Sequence, residues 1–416
     1  MEVPAVVAGH FQVEGLFTVN DDPAEAEGGQ GVVYRGFDTA TQSSVALKMF
    51  KRDAACAAHE ARIMQLIGTP AHRHASIIDF IFFEPTCGFG CIVMEAANLG
   101  CFFDHALSDI PMPPARLAFF MLQATSAIRF LHETCKVAHL DIKLENMLLV
   151  GASLAEPTLK IADFGYATEL VEPSPQQQKN GTVGFRAPEI YSHLVGVGPG
   201  YDAYACDAWS HGVCIYILAI GRTPFDEKDS GRVLTGLPEY AVLKRAQQAG
   251  QSGMRALCRH KGYGPTWNRL PPPLQAALDG LLSIDPPTRR QALAQLEGHL
   301  QAIRRHPQAQ PAQAQLAPPQ PDAAAAVAPP HPAVSVETAE AMDLSEDIDE
   351  PVSPPVFRGG GSMSSVVEEE GESYVPRDLH APPAAYRSLQ ATQQQVEELS
   401  EEPPRPRLQR RWGASL

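Results

Sequence analysis

The apolar residues that follow Pro113 recur at spacings of four, three, four and three, which is close to the period of an α-helix. They are Leu117, Met121, Ala124, Ile128 and Leu131. Residues at this spacing lie along one face of a helix, so we predict a helix that buries this face against the rest of the protein. Further helical stretches are predicted at 207–220, 272–283 and 290–305.

The chain from about Gly9 to Phe83 has the pattern of strands and turns with one helix among them. Runs such as Gly31–Tyr34 and Ser44–Phe50 are short, contain β-branched residues and are bounded by turn residues, which is typical of strands. Ala54–Ile67 contains good helix formers and is followed by Gly68, a common helix terminator. The predicted class is therefore α+β, with a smaller strand-rich region before a larger helical one.

The segment 306–416 differs in composition from the rest of the chain. It holds 17 of the 37 prolines, and 17 Asp and Glu residues against seven Arg, so ten of the fifteen net negative charges lie there. Such a segment buries too little apolar surface to offset its chain entropy, and we predict that it is disordered. Within it, Pro403–Arg407 fits an Arg-flanked PxxP ligand of SH3-type domains, a pattern that Pro-rich segments also contain by chance.

Charge and hydropathy exclude several classes of protein. The net charge of −15 argues against nucleic acid as a partner, because phosphate binding needs a basic face. The longest purely apolar run, Val213–Ile220, is less than half of the roughly 20 residues that cross a bilayer, so we predict a buried helix there and no membrane partner. The eight cysteines include no CxxC pair, which favours unpaired thiols over zinc. We expect a cytoplasmic protein, with the nucleus as the alternative.

Three segments near the N-terminus carry groups that suit phosphate binding. Ala26–Val33 is rich in glycine, whose backbone can approach phosphate oxygens closely because no Cβ intervenes. The predicted strand Val45–Lys48 ends on a lysine that can place a positive charge on phosphates, and Glu60 on the following helix can hold that lysine by an ion pair. Taken singly, each has an ordinary alternative: a hairpin turn, a solvated lysine and a solvated glutamate.

The segment His139–Asn146 is more informative, because it places five polar side chains between an apolar helix and an apolar strand. Asp141 can accept a proton from a hydroxyl group, Lys143 can neutralise charge on a transferred group, and Asn146 can bind a metal ion. Asp163, in the sequence Asp-Phe-Gly, offers a carboxylate for Mg²⁺. These residue types together predict group transfer to a hydroxyl.

Two more segments, Gly181–Glu189 and Asp207–Val213, complete an ordered set of seven. The set resembles the signature of the eukaryotic protein kinase family, which is a Gly-rich loop, VAIK, HRD with a following Asn, DFG and APE in that order. Each motif is weak alone, whereas the ordered set is specific. The resemblance spans 10–305 and implies a bilobal fold, with a small β-rich N-lobe at about 10–95 and a large α-helical C-lobe at about 98–305.

The resemblance implies ATP and Mg²⁺ as cofactors and assigns residues to them. The implied catalytic residues are Asp141 as the base, Lys143, Lys48 and Glu60. The implied Mg²⁺ ligands are Asn146 and Asp163. The implied ATP contacts, besides Lys48, are Ala26, Gly28, Gly31, Val33, Ala46, the gatekeeper Met94, Glu95, Ala97 and Leu148. The family pattern also predicts an ion pair between Glu189 and Arg289, and an apolar column through Met64, His139 and Phe164.

The implied substrates are proteins with Ser or Thr acceptors. Lys143, two residues after Asp141, and the pair Gly181-Thr182 resemble the Ser/Thr branch of the family. A pseudokinase scaffold that binds nucleotide and partner proteins is the alternative, although such proteins usually lack the lysine, the base or the metal aspartate. A small-molecule phosphotransferase of related fold is a third reading, against which the complete Thr182–Glu189 segment argues.

Two departures from the family pattern have consequences. Lys48 and Glu60 are only twelve residues apart, which predicts a short connector before the helix. The arginine of HRD is replaced by Leu140, and Gln176–Asn180 contains no Ser, Thr or Tyr. In many relatives that arginine binds a phosphate on the activation loop. Because the acceptor and the phosphosite are both missing, we predict activity without phosphorylation at this place.

Overall fold

The structure is a computed structural model that describes residues 4–17, 31–70, 72–170, 181–194, 200–225 and 234–305. The glycine-rich residues before Gly31, the segment 171–180 and the predicted tail 306–416 lie outside the described residues. The α+β class and the strand-rich region before a helical one are confirmed.

A six-stranded antiparallel sheet forms the N-terminal region, with its strands in the order β1-β2-β3-β4-β6-β5. Its strands are β1 Val6–Val7, β2 Phe11–Leu16, β3 Gly31–Asp38, β4 Ser43–Phe50, β5 Phe80–Glu84 and β6 Cys91–Glu95. Alternation along β4 places Val45, Leu47 and Met49 in a small cluster on one face. Its other face carries Ala46, Lys48 and Phe50, and so Lys48 points with the residues that pack against the main core.

Helix α1, Ala54–Ile67, has the predicted bounds. It follows β4 after three residues, which confirms the short connector. The last of these, Asp53, accepts a hydrogen bond from the amide of Ala55 and so caps the helix start. Its apolar residues pack into the main core, while Glu60 on the same helix is also buried.

Four short strands lie within the C-terminal region, between residues 137 and 169. These are β7 Val137–Ala138, β8 Met147–Val150, β9 Thr158–Ile161 and β10 Thr168–Glu169. β8 pairs with β9, and β10 pairs with β7, both antiparallel. The first pairing brings the residues before β8 and after β9 to the same end of a hairpin.

The C-terminal region is built of helices around one apolar core. They are α2 Phe102–Ala106, α3 Pro114–Phe130, α4 Pro188–Leu194, α5 Ala203–Ile220, α6 Pro238–Gln248, α7 Gly253–His260, α8 Gly264–Arg269, α9 Pro272–Leu281 and α10 Pro286–Arg305. The five predicted apolar positions from Leu117 to Leu131 are all fully buried, although Leu131 belongs to the π-helical turn Leu131–Cys135 that ends α3.

Two helices begin earlier than their apolar patterns predict. Helix α5 starts four residues before position 207, because the carboxylate of Asp202 accepts a hydrogen bond from the amide of Ala205 and caps the helix there. Helix α10 starts at Pro286 rather than at 290, since proline has a φ angle suited to the first helical position. Among the described helices, α5 alone is long and apolar enough to cross a membrane, but 94% of it is buried inside the protein. The prediction of a buried helix at Val213–Ile220 is thus confirmed.

A buried histidine in α5 makes the stability of this core depend on pH. Nε2 of His211 lies 2.9 Å from the hydroxyl of Thr125, which itself donates to the carbonyl of Met121 at 2.6 Å, so the histidine donates through Nε2. Nδ1 has no partner among the described residues. Burial lowers the pKa of His211 to about 3, against 6.5 for a free side chain, with Asp207 opposing the shift.

We expect acid to destabilise the protein through His211. Below pH 6.5 the His211 imidazole of the unfolded chain binds a proton that the buried imidazole of the folded chain does not bind. The contribution of His211 to the free energy of unfolding is therefore complete above pH 6.5 and decreases as the pH is lowered below it. The loss from pH 7 to pH 5 amounts to about 2 kcal/mol for this group. Denaturant unfolding of wild type and His211→Gln at both pH values measures it. An equal pH dependence in the two proteins contradicts the prediction.

Candidate active site

Two loops of the C-terminal region meet at the end of the β8–β9 hairpin. The segment 139–146 leads into β8, and Asp163 follows β9. The pairing of Met147 with Ile161, and a 2.9 Å hydrogen bond from the amide of Ala162 to the carbonyl of Asn146, hold the two loops side by side. The two predicted metal ligands are therefore brought to one place by strand pairing.

Lys48 connects this site to the N-terminal sheet. Its Nζ lies 2.9 and 2.8 Å from the two carboxylate oxygens of Glu60, and 2.8 Å from Oδ1 of Asp163. The side chain of Glu60 is 1% exposed and that of Lys48 is 10% exposed, whereas the Asp163 side chain is only partly buried, at 40% exposed. The sequence-predicted ion pair of Lys48 with Glu60 is present, and Asp163 joins it from 115 residues away.

Burial and charge act in opposite directions on these groups. Burial disfavours the charged form of Lys48, but the carboxylates of Asp163 and Glu60 outweigh it and raise the pKa of Lys48. Burial likewise opposes ionisation of Asp163, yet Lys48 and Lys143 outweigh it and lower the pKa of Asp163. For Glu60, burial dominates over the ammonium of Lys48 and raises its pKa. The ammonium and the Asp163 carboxylate are thus charged at neutral pH.

Asp141 lies at the centre of a second network. Its Oδ1 accepts a hydrogen bond of 2.7 Å from the hydroxyl of Thr182, and its Oδ2 lies 3.0 Å from Nζ of Lys143. The same lysine donates to the Thr182 hydroxyl at 3.0 Å. Burial opposes the charge of Lys143, but Asp141 and other nearby carboxylates outweigh it and raise its pKa. A buried carboxylate beside a fixed ammonium suits proton acceptance next to a site of developing negative charge.

Asn146 is oriented by Asp141. The amide nitrogen of Asn146 donates to the carbonyl of Asp141 at 2.9 Å and to its Oδ2 at 3.1 Å. The amide nitrogen is therefore engaged, and the oxygen is the atom that could serve a cation. Within the described residues no group of three or more His, Cys, Asp or Glu side chains is arranged to hold a metal. One carboxylate and one carboxamide suit Mg²⁺ only if phosphate oxygens and water complete its shell, which is its usual habit.

Asp207 supports the backbone of the candidate site, although the sequence suggested no role for it. It is fully buried in α5, where its Oδ2 accepts from the amide of His139 at 2.8 Å and its Oδ1 accepts from the amide of Leu140 at 2.7 Å. Nε2 of His132 donates to it at 2.8 Å. Leu140 has a φ of 62°, a left-handed conformation that costs free energy for a residue with a side chain. Asp207 thus fixes the strained backbone just before Asp141.

A charged residue inside an otherwise apolar helix is the signal that would have singled out Asp207. Such a carboxylate is rarely buried without partners.

The predicted pair of Glu189 and Arg289 is also present. The guanidinium of Arg289 is fully buried, donates to Glu189, and donates to the carbonyls of Ala205 and Ser283 at 2.9 Å each. It also lies over the ring of Trp209 at 5.6 Å. This network joins the start of α4 to α5 and α10, so it fixes the segment that follows Thr182.

Most of the predicted nucleotide-binding residues that the structure describes lie on β3, β4 and β6 of the N-terminal sheet. Ala46 pairs with Met94 across β4 and β6, and both are buried; Val33 on β3 and Leu148 on β8 are partly buried against the same core. Glu95 ends β6, with buried Ala97 two residues later. Ala26 and Gly28 lie outside the described residues.

Gly31, which begins β3, is required by its neighbours. A Cβ at this position would lie 2.5 Å from the carbonyl oxygen of Met49. Glycine is therefore needed here for the close approach of β3 to β4.

Two members of the apolar column predicted beside the site are in contact. The rings of His139 and Phe164 are 4.9 Å apart between centroids, and Met64 of α1 belongs to the same main core as Phe164. His139 donates through Nε2 to the carbonyl of Ala162 and accepts through Nδ1 from the amide of Asp141. His139 therefore links the two loops.

Comparison with known proteins agrees with this geometry. The family model of the protein kinase domain matches residues 26–300. The chain is 33% identical over 205 residues to the serine/threonine-protein kinase SAPK1 of Oryza sativa subsp. japonica, which covers 49% of this chain and 57% of that protein. It is 33% identical over 175 residues to the human testis-specific serine/threonine-protein kinase 3, or 42% of this chain and 61% of that protein.

A third relative is the serine/threonine-protein kinase SRK2H of Arabidopsis thaliana, 32% identical over 194 residues, or 46% of this chain and 51% of that protein. The chain thus spans about half to three fifths of the length of these relatives.

Proposed function

Because the chain belongs to the protein kinase family, we propose that it transfers the γ-phosphate of ATP to Ser and Thr hydroxyls of protein substrates. Asp141 is the base in this proposal, and Asn146 and Asp163 hold Mg²⁺. The observation that carries it is the contact of one ammonium, Lys48, with both Glu60 and Asp163. This contact joins the N-terminal sheet to the loop after β9 that carries Asp163.

The proposed step uses groups that are already in position. The hydroxyl oxygen of the substrate forms a bond to the γ-phosphorus of ATP while the bond between that phosphorus and the leaving oxygen of ADP breaks. Asp141 accepts the proton of this hydroxyl group in the same step. Lys143, 3.0 Å from Asp141, offsets the charge that builds up on the transferred phosphoryl group. Lys48 holds the phosphates of ATP while Glu60 fixes the direction of its side chain. Bound Mg²⁺ supplies further charge neutralisation on the phosphates.

The completeness of the site favours an enzyme over a pseudokinase scaffold. Lys48, Asp141, Asn146 and Asp163 are all present and each contacts another member of the set or its support. The Ser/Thr branch of the family carries a threonine at the position of Thr182. The hydroxyl of Thr182 donates a hydrogen bond to Asp141, and the chain after Thr182 leads to Glu189, which binds Arg289. That anchored segment supports a protein substrate over a small molecule.

Phosphate transfer from ATP to a generic protein substrate tests the proposal. We expect phosphoserine and phosphothreonine in the product, no phosphotyrosine, and loss of at least about 100-fold in rate when EDTA removes Mg²⁺, since the metal stabilises charge in the transition state. Excess Mg²⁺ added back after EDTA is the control and should restore the rate. Binding of ATP without any transfer would support the scaffold instead.

A further inference from the structure

Helix α1 makes two contacts with the segment 167–169, which includes β10. Nε2 of His59 donates to the carbonyl of Ala167 at 2.9 Å, and Nη1 of Arg62 donates to Oε2 of Glu169 at 2.8 Å. His59 and Arg62 are three residues apart and so lie on one side of the helix. Glu60, next in the chain to His59, turns inward to Lys48. The helix therefore holds the active-site lysine with one side and the strand with another.

The strand β10 is fixed to the residues just before the segment 139–146. In the β10–β7 pairing, Thr168 lies opposite Ala138 and Glu169 lies opposite Val137. The amide of Leu170 donates to the carbonyl of Lys136 at 2.7 Å. A continuous chain of contacts thus runs from α1 through β10 to the residues directly before His139.

These contacts matter because Leu140 carries no charge. Its side chain is buried and apolar, so it cannot bind a phosphate group on the activation segment, which we define as residues 163–189. A phosphate there would therefore have no contact with Leu140 that could order the segment. Glu169 lies six residues after Asp163, and its carboxylate forms an ion pair with Arg62. The carboxylate thus gives α1 a charged partner on this segment that needs no modification.

We propose that His59, Arg62 and Glu169 form a positioning clamp that keeps Glu60 on Lys48 without phosphorylation of the activation segment. The inference rests on the proposed kinase function. The three residues touch neither reactant, and they act by holding α1 against β10. Losing the clamp lets α1 move, which separates Glu60 from Lys48 and lowers the fraction of molecules in the reactive arrangement.

Another pair in the protein provides a matched control. The side chains of Arg62 and Glu169 are 55% and 31% exposed, and those of Arg290 and Asp202 are 55% and 32% exposed. Arg290 and Asp202 lie 3.4 Å apart and also join distant segments, but they belong to α10 and to the start of α5 rather than to α1 or β10. An ordinary exposed pair contributes little to stability, and so Arg290→Glu shows what charge reversal alone does.

The test compares full-length, phosphatase-treated wild type with Arg62→Glu, Glu169→Arg, the double variant Arg62→Glu/Glu169→Arg, and Arg290→Glu. We expect each clamp reversal to lower kcat by about three- to tenfold, as a shift of one to a few RT in the conformational equilibrium produces. The double variant should recover to within about twofold of wild type, because the opposite charges face each other again. Arg290→Glu should retain the wild-type kcat.

Hydrogen exchange of the α1 amides gives a readout that does not depend on activity. We expect faster exchange in Arg62→Glu than in Arg290→Glu, and recovery in the double variant. Single reversals that behave like Arg290→Glu in both measurements, or a double variant no better than the singles, overturn the clamp. An inactive wild type with the expected exchange pattern would leave the clamp standing and refute the proposed function alone.

Discussion

Replacing Asp141 with Asn should lower kcat by about 100- to 10,000-fold, the range that general base catalysis supplies. The amide keeps the size of the side chain but cannot take the proton of the attacking hydroxyl. Lys48, Glu60 and Asp163 are not altered, so the affinity for ATP should change by no more than a few-fold. Steady-state kinetics with a protein substrate and the binding of a fluorescent nucleotide analogue separate these two effects.

Asp38→Asn is the matched control for this experiment. Asp38 is also a buried aspartate, but it lies at the far end of β3 from Gly31 and accepts hydrogen bonds from Thr41 and Ala40. We expect the kcat of the Asp38→Asn variant to equal that of the wild-type protein. An Asp141→Asn variant that keeps more than a tenth of the wild-type kcat would remove Asp141 from the role of base.

Replacing Asp207 with Ala should have the largest effect on stability, with a loss of about 3–5 kcal/mol in the free energy of unfolding, because three buried donors lose their acceptor and each such loss costs about 1–3 kcal/mol. The amides of His139 and Leu140 would remain buried without an acceptor, and each such donor is costly. The left-handed backbone at Leu140 would also lose its support. Activity per folded molecule should fall too, because Asp141 is the next residue.

Asp202→Ala on the same helix is the comparison. Asp202 caps α5 by accepting from the amide of Ala205 at 3.1 Å, and losing such a cap costs about 0.5–2 kcal/mol. Denaturant unfolding gives the stability of both variants, and kcat under conditions where each is folded gives the catalytic effect. Equal losses in the two variants, or an unchanged kcat in Asp207→Ala, would show that Asp207 does not support the loop.

Much of the local structure could be predicted from the sequence because it depends on neighbouring residues. The bounds of α1 follow from its helix formers and from Gly68, and the buried face of α3 follows from the period of its apolar positions. The starts of α5 and α10 were missed. A capping carboxylate and a proline at the first turn act before the apolar pattern begins, so periodicity alone places these starts too late.

The residues of the candidate site were largely predicted, but not what holds them. Lys48 and Glu60 were expected to pair, whereas the approach of Asp163 to the same ammonium was not. The functions of these residues and the limits of the domain stay predictions, as do the cytoplasmic location and the SH3-type partner of the tail. No role was predicted for Asp207, because its three hydrogen bonds join it to residues 67 to 75 positions away.

The sequence by itself determined the family, the class of the fold and the set of polar side chains available for chemistry. Those properties are encoded in the order of short motifs and in local periodicity, which need no knowledge of contacts. Tertiary structure alone decided that Asp163 also binds the ammonium of Lys48, that Asp207 supports the strained backbone at Leu140, and that Arg62 contacts Glu169. These contacts depend on how distant segments pack. A hydrogen bond between residues far apart in the sequence produces no periodic pattern of residue types from which it could be predicted.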